Sequence, residues 1–296
     1  MQNPSRRAFL GGKAPELQPW DQFLLALGRK TQGSIRTLGP NSQQALCTAQ
    51  LSTDIHHARQ LCQTFGVKLY VGQDLIPHEA DLAPSLCLDL SYLNQLMPVN
   101  NKGNQWFMQA GVTMAQLREI GFTIPADIPD ALWVAQWLGS PHYQSYALQH
   151  LAHSGLVHAS LLMADGSVGS LGPFGVENTK PLNTATLRAV IPQLFQLAHS
   201  EWAQSLSVSE WPATYRLDIF NTSNPSLNLA HLLLGAGQDL GLLEWVVMDR
   251  TVWQAAPRRS SVPLIEPKTL IYAQELDAAV KKVFDPTELF ITLRYS

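Results

Sequence analysis

Residues 52–71 read STDIHHARQLCQTFGVKLYV, and this stretch carries the clearest structural pattern in the chain. Ser52 and Asp54 can cap a helix at its start, Gly66 can end it, and the apolar run at 67–71 then follows as a strand. Apolar residues recur at helical spacing between the cap and the glycine, namely Ile55, Ala58, Leu61, Cys62 and Phe65. A helix, a glycine and a strand in this order form half of an α/β unit.

Composition narrows the class of protein. The chain has 296 residues, 46% of them hydrophobic and 15% charged, with a net charge of −3. These values are typical of a folded protein, and the small net charge gives no electrostatic reason to expect nucleic acid or an anionic membrane surface as a partner. No apolar run reaches the ~20 residues that span a bilayer, so the sequence predicts a soluble protein.

The cysteines and the N-terminus bear on the cellular compartment. Cys47, Cys62 and Cys87 are too widely spaced for a disulfide framework or a metal knuckle, which favours buried thiols in a reducing compartment. Residues Ser5–Leu10 (SRRAFL) are similar to the core of a twin-arginine export signal, but prolines and charged residues interrupt the apolar stretch that must follow. We therefore predict a cytoplasmic protein, with twin-arginine export as the alternative.

Further elements are predicted on both sides of this unit. Strands are expected at Leu86–Leu90 and Trp106–Ala110, and Thr113 can cap a helix at Met114–Ile120. Asp165-Gly166 is a hairpin signal within LLMADGSVGS, residues 161–170. The remaining predicted elements are helices at Trp20–Leu27, Leu187–Leu206 and Leu276–Phe284 and strands at Tyr215–Phe220 and Leu242–Met248.

Five stretches, taken in order, resemble the FAD-linked oxidase family, the flavoproteins related to vanillyl-alcohol oxidase and to the FAD-binding subunits of glycolate oxidase. The stretches are Ser52–Val71, Leu86–Leu96, Gln109–Leu117, Ser160–Val168 and Lys281–Phe290. The resemblance implies an α+β fold, the two-subdomain FAD-binding PCMH-type fold with a reduced α/β cap domain. It divides the chain into an N-terminal segment at 1–36, an FAD-binding domain at 37–206 and a cap domain at 207–296.

The resemblance also implies a site for non-covalently bound FAD. The family has a glycine-rich loop after the strand that ends at Val71, because glycine lets backbone N–H groups approach a diphosphate closely. Here the loop retains one glycine, and Asp74 would repel a diphosphate unless Lys68 or Arg118 offsets its charge. The cofactor-binding residues implied are Gly72, Gln73, Asp74, Gly111, Val112 and Thr113.

Two further departures leave two classes of function open. The family's paired-glycine segment against the flavin is replaced by the bulkier Pro129–Ala135, and its terminal FNPG becomes Phe290–Leu293. The first hypothesis is an FAD-dependent oxidoreductase acting on a small hydroxy acid or alcohol. The alternative is a non-catalytic subunit or scaffold that keeps the fold and associates with a redox partner.

Other residues were considered for substrate, metal or dinucleotide binding. Four polar side chains of the predicted cap domain are candidates for substrate contact: Tyr215, Arg216, Glu244 and Arg258. His150 and His153 stand three residues apart, but no carboxylate or cysteine nearby completes a metal site. Gly235-Ala236-Gly237 is interpreted as a turn, because the third glycine of a dinucleotide fingerprint is missing. Neither a catalytic residue nor a metal ligand is assigned from the sequence.

Overall fold

The computed structural model of the protein describes residues 17–37, 42–73, 84–99, 103–175, 182–206, 211–221, 227–256 and 266–291. Asp74, Arg258 and the arginines of the SRRAFL stretch lie outside these residues, so the predictions made on them are not tested by the structure. Among the described helices, none is long and apolar enough to cross a bilayer.

The first sheet has four strands in the order β1-β2-β4-β3. Its strands are β1 (Ser34–Thr37), β2 (Gln44–Thr48), β3 (Lys68–Val71) and β4 (Ser85–Asp89). Strand β1 is antiparallel to β2, whereas β2, β4 and β3 are parallel to one another. Because the carboxyl ends of parallel strands meet at one edge of a sheet, the segments that follow β3 and β4 lie close together.

Two helices cover one face of this sheet, α1 (Pro19–Lys30) and α2 (Ser52–Phe65). Their buried residues Phe23, Leu27, Ile55 and Cys62 join the main hydrophobic core. The Asp54 carboxylate accepts hydrogen bonds from the backbone N–H groups of Gln50 and Leu51, just before α2. Gly66 ends the helix in the left-handed conformation at φ 67°. The predicted helix, its glycine stop and the strand after it are confirmed.

The second sheet has five antiparallel strands in the order β5-β6-β9-β7-β8. Its strands are β5 (Leu96–Pro98), β6 (Gln105–Gln109), β7 (Leu156–Leu162), β8 (Val168–Leu171) and β9 (Leu242–Asp249). The predicted hairpin forms β7 and β8. Strand β9 comes from the predicted cap region, yet it lies at the centre of this sheet between β6 and β7.

Besides four short 3-10 helices, the described structure has five more α-helices. They are α3 (Met114–Glu119), α4 (Val134–Gly139), α5 (Ala185–Ala198), α6 (Glu201–Gln204) and α7 (Pro267–Phe284). After α7 the chain returns to the first sheet, where Phe290 forms a parallel bridge with Leu69. One core cluster contains residues from both sheets and from these helices, and the fold is α+β.

One predicted strand is wrong. Tyr215–Phe220 alternates apolar and polar residues, which is typical of a half-exposed strand, but Leu217–Phe220 forms a 3-10 turn. The polar positions Arg216 and Asp218 are buried and bind each other, with Arg216 Nη2 2.5 Å from Asp218 Oδ2. The alternation therefore marks a buried ion pair and not an exposed strand face.

Candidate functional site

The two loops implied as a cofactor site lie at the carboxyl end of β4. Gly72 follows β3 and its N–H group donates to Leu88 O at 3.0 Å, while Gly111 donates to Leu93 O at 2.9 Å. The Gln73 side chain then donates to Ala131 O at 2.7 Å. The structure therefore brings Gly72–Gln73 and Gly111–Thr113 to the same edge of the first sheet.

Gly111 packs directly against the backbone of the residue that follows β4. A Cβ atom built at this position would overlap the carbonyl group of Leu90, the residue that follows β4. Glycine is therefore required here for close contact with the protein's own backbone, which explains its presence without any ligand.

The backbone N–H groups expected to face a diphosphate have acceptors within the protein. Besides the bonds of Gly72 and Gly111, Val112 N–H donates to Gln109 O at 3.1 Å, and Thr113 N–H donates to Gln116 Oε1 at 3.0 Å. A diphosphate site needs N–H groups that converge on the anion and are free to donate. In this arrangement these four groups do not fit a bound diphosphate.

The N–H groups at the start of α3 also donate to acceptors within the protein. Thr113 caps the helix as predicted, since its Oγ1 accepts from Gln116 N–H at 3.3 Å. Met114 N–H donates to Leu132 O at 2.9 Å, and Ala115 N–H donates to Asp130 O at 3.1 Å. The N–H groups of Met114, Ala115 and Gln116 therefore donate within the protein, and none of the three is free to bind an anion.

The Pro129–Ala135 segment packs against this edge. Thr113 and Trp133 form an antiparallel bridge, and Val134 N–H donates to Val112 O at 2.8 Å. Trp133 is buried and joins the main core. The bulkier segment therefore fills space and binds the Gly111–Thr113 loop directly.

The two cations considered as counterions for Asp74 are engaged elsewhere. Lys68 donates to the carbonyl oxygen of Glu288, and Arg118 forms an ion pair with Asp130. Arg118 also donates to Pro125 O, at 2.8 Å. Neither side chain is placed by these contacts to neutralise a bound diphosphate.

Two of the candidate substrate-contacting residues have structural partners. Tyr215 is buried, and its hydroxyl donates to Asp239 Oδ2 at 2.8 Å. Burial, together with the neighbouring Asp239 carboxylate, raises the pKa of Tyr215. Arg216 is held by Asp218, as described above, and also donates to Tyr146 O at 2.7 Å. These contacts stabilise the fold and leave neither group directed at a substrate.

Glu244 links the second sheet to helix α2 through contacts that the sequence does not indicate. It lies at an irregularity in the β7–β9 pairing, where the register shifts between Ser160 and Leu161. One carboxylate oxygen lies 2.7 Å from His56 Nε2 on α2, and the other accepts from Ser160 Oγ at 2.9 Å. The only sequence signal is that Glu244 stands among the apolar residues of strand β9.

The other patterns noted in the sequence also have structural roles. Gly235 and Gly237 donate their N–H groups to Leu138 O and Gly139 O, at 2.7 and 2.8 Å, so the predicted turn caps the end of α4. The rings of His150 and His153 stack with centroids 5.1 Å apart. Among the described residues, no group of three or more histidine, cysteine or acidic side chains could hold a metal ion.

The sequence matches no protein-family model and no curated protein. Among solved structures, the chain is similar to a carbohydrate oxidase from Microdochium nivale, with 12% identity and a TM-score of 0.45 over 77% of this chain and 42% of that one. It is also similar to BBE-like 1 from Physcomitrella patens, with 11% identity and a TM-score of 0.43 over 77% of this chain and 44% of that one. BBE-like #28 from Arabidopsis thaliana gives 16% identity and a TM-score of 0.42 over 80% and 40%. The chain thus spans about two fifths of the length of these proteins, and likenesses at this level carry no conclusion about its activity.

Proposed function

We propose that this protein is a non-catalytic subunit or scaffold that keeps an α+β fold resembling that of FAD-linked oxidases and associates with a redox partner. One observation carries the proposal. The N–H groups of Gly72, Gly111, Val112 and Thr113 donate to acceptors of the protein itself. Binding a diphosphate there would break these bonds, and each broken bond costs about 1 kcal/mol before the buried carbonyl acceptors that lose a donor are counted.

The side chain of Gln73 supports the same proposal. It bridges from the end of β3 to Ala131, across the gap between two segments that the family resemblance assigns to the cofactor. A side chain in this position joins the loops to each other and occupies space beside both of them.

The proposal is tested by adding FAD to the purified protein and measuring the flavin absorption retained after gel filtration. We expect no retained flavin in the wild type or in Gln73→Gly, which removes only the bridging side chain. Asp74→Gly, which removes the negative charge, serves as a third protein, and we expect it to retain none. Stoichiometric flavin in the wild type would overturn the proposal.

Flavin-dependent oxidation of a small hydroxy acid or alcohol is the second candidate, and one observation favours it. Both implied loops lie at the carboxyl edge of the parallel strands β2, β4 and β3, which is where open α/β sheets bind ligands. FAD would supply the hydride-transfer chemistry and the protein its binding and orientation. Under this candidate Asp74→Gly binds more flavin than the wild type, so the same titration separates the two functions.

A further inference from the structure

We propose that a groove between α5 and α7 binds a small amphipathic carboxylate, a molecule with an apolar body and one negatively charged head. The groove has a volume of about 590 Å³. This volume falls within the range of about 300–1,000 Å³ typical of small-molecule sites. The groove shares no residue with the Gly72–Gln73 and Gly111–Thr113 loops, so the inference does not depend on the proposed function.

The floor of the groove is apolar and comes mainly from the C-terminal end of α7 and the residues just after it. Leu197 comes from α5, and Ala279, Val283 and Pro286 come from α7 and the residues just after it. Ala279 and Val283 stand four residues apart and so lie on one face of α7, and Pro286 follows just after the helix ends. Leu194 of α5 and Val280 of α7 enter the main core, whereas Leu197 and Val283 pack against that core and stay partly exposed at the groove.

The rim carries one cation and two amides. Lys282, Gln193 and Gln196 line the groove, and none of the described lining residues is acidic. The amide of Gln193 donates one N–H to Ala189 O at 2.9 Å and keeps its second N–H for another acceptor. These donors are suited to a carboxylate and offer no anion to a cationic ligand.

The neighbouring lysine does not compete for the same ligand. Lys281 turns inward, where its Nζ donates to Asp285 Oδ2 at 2.8 Å and to Phe290 O at 3.0 Å. Asp285 is fully buried and held by this contact. The end of α7 carries a partial negative charge of about half a unit, which the full charge of Lys282 outweighs. The groove therefore attracts a negative head group at the Lys282 end.

The probes for this site are sodium decanoate and 1-decanol, which share a chain of the same length and differ in charge. Binding is measured by isothermal titration calorimetry below the concentration at which either probe aggregates. We expect saturable one-to-one binding of decanoate to the wild type. Lys282→Gln should weaken decanoate binding about fivefold, a modest effect because the ion pair between the carboxylate and Lys282 is exposed to solvent. Decanol has no charge, so its binding should be unchanged.

A matched pair of variants tests the location. Ala279→Glu places a bulky anion on the groove floor, whereas Ala278→Glu makes the same change at the adjacent exposed position outside the groove. We expect Ala279→Glu to abolish decanoate binding and Ala278→Glu to keep it, with circular dichroism reporting that both are folded. Absence of saturable binding to the wild type, or equal binding by Ala279→Glu, would overturn the site. An equal effect of Lys282→Gln on both probes would overturn the carboxylate assignment.

Discussion

Gly111 and Gly28 give opposite expectations for the same substitution. A Cβ at Gly111 would overlap the Leu90 carbonyl group, whereas at Gly28, within α1, the nearest atom would be Ile35 Cδ1 at 3.7 Å. We expect Gly111→Ala to lower the free energy of unfolding by about 3 kcal/mol. Gly28→Ala should leave it unchanged or raise it by up to about 1 kcal/mol, because alanine favours the helix. Urea unfolding measures both, and equal effects would contradict the packing described at Gly111.

His231 should make stability depend on pH. Burial lowers the pKa of His231 from 6.5 to about 4. Between these values the unfolded chain binds more protons than the folded protein, so stability falls as the pH drops from 6.5 toward 4, by up to about 3 kcal/mol from this group. We expect His231→Leu to flatten the pH dependence of the unfolding free energy in this window. Identical pH profiles for wild type and His231→Leu would contradict the burial.

Single residues were predictable where their signal is local. The Thr113 cap follows from a hydroxyl residue before a helix, and the structure contains it. The bond from Gln73 to Ala131 joins residues 58 positions apart, and its geometry depends on how two loops meet. No local pattern encodes such a contact, so the hydrogen bonding between these two loops could not be predicted from the sequence.

At the scale of elements, the segment after α7 is held by one carboxylate. Asp285 is fully buried and accepts from Leu289 N–H at 2.9 Å, Phe290 N–H at 2.8 Å and the Lys281 ammonium group. These bonds hold the segment against β3, where Ile291 N–H donates to Leu69 O at 2.9 Å. The carboxylate therefore links the last helix to the first sheet.

Removing this carboxylate should therefore be strongly destabilising. We expect Asp285→Ala to cost about 3–5 kcal/mol, because it leaves the partly buried Lys281 without its counterion. The same variant should speed hydrogen exchange of the Ile291 amide. Glu275→Ala, at an exposed position of α7, is the control and should change neither quantity. A small effect of Asp285→Ala on both measurements would contradict the link.

Most elements with a strong apolar period were predicted well, but one predicted strand is wrong although its sequence alternates. Helix α2 and strands β3, β4, β6 and β9 follow runs whose period matches their structure. Tyr215–Phe220 has the period of a strand, but its polar positions are buried in an ion pair, and pairing of that kind is set by tertiary contacts. The pattern alone cannot distinguish a polar residue facing water from one facing a buried partner.

At the scale of the whole molecule, the sequence predicts the α+β class but not how the pieces combine. A strand was predicted at Trp106–Ala110 without a pairing partner, and in the structure β6 joins the second sheet, next to β9 from the far end of the chain. Such pairing depends on contacts more than a hundred residues apart, which local periodicity does not encode. The domain boundaries at residues 36 and 206 and the cytoplasmic location stay predictions.

The central claim is that the N–H groups of the two loops implied as a cofactor site donate hydrogen bonds to the protein itself. It is tested most directly by hydrogen exchange, followed by NMR, at the amides of Gly72, Gly111, Val112 and Thr113, with and without added FAD. The account predicts that all four amides are protected in the protein alone, because each donates a hydrogen bond, and that FAD changes none of them. Rapid exchange in the protein alone, slowed at these four amides by FAD, would contradict it.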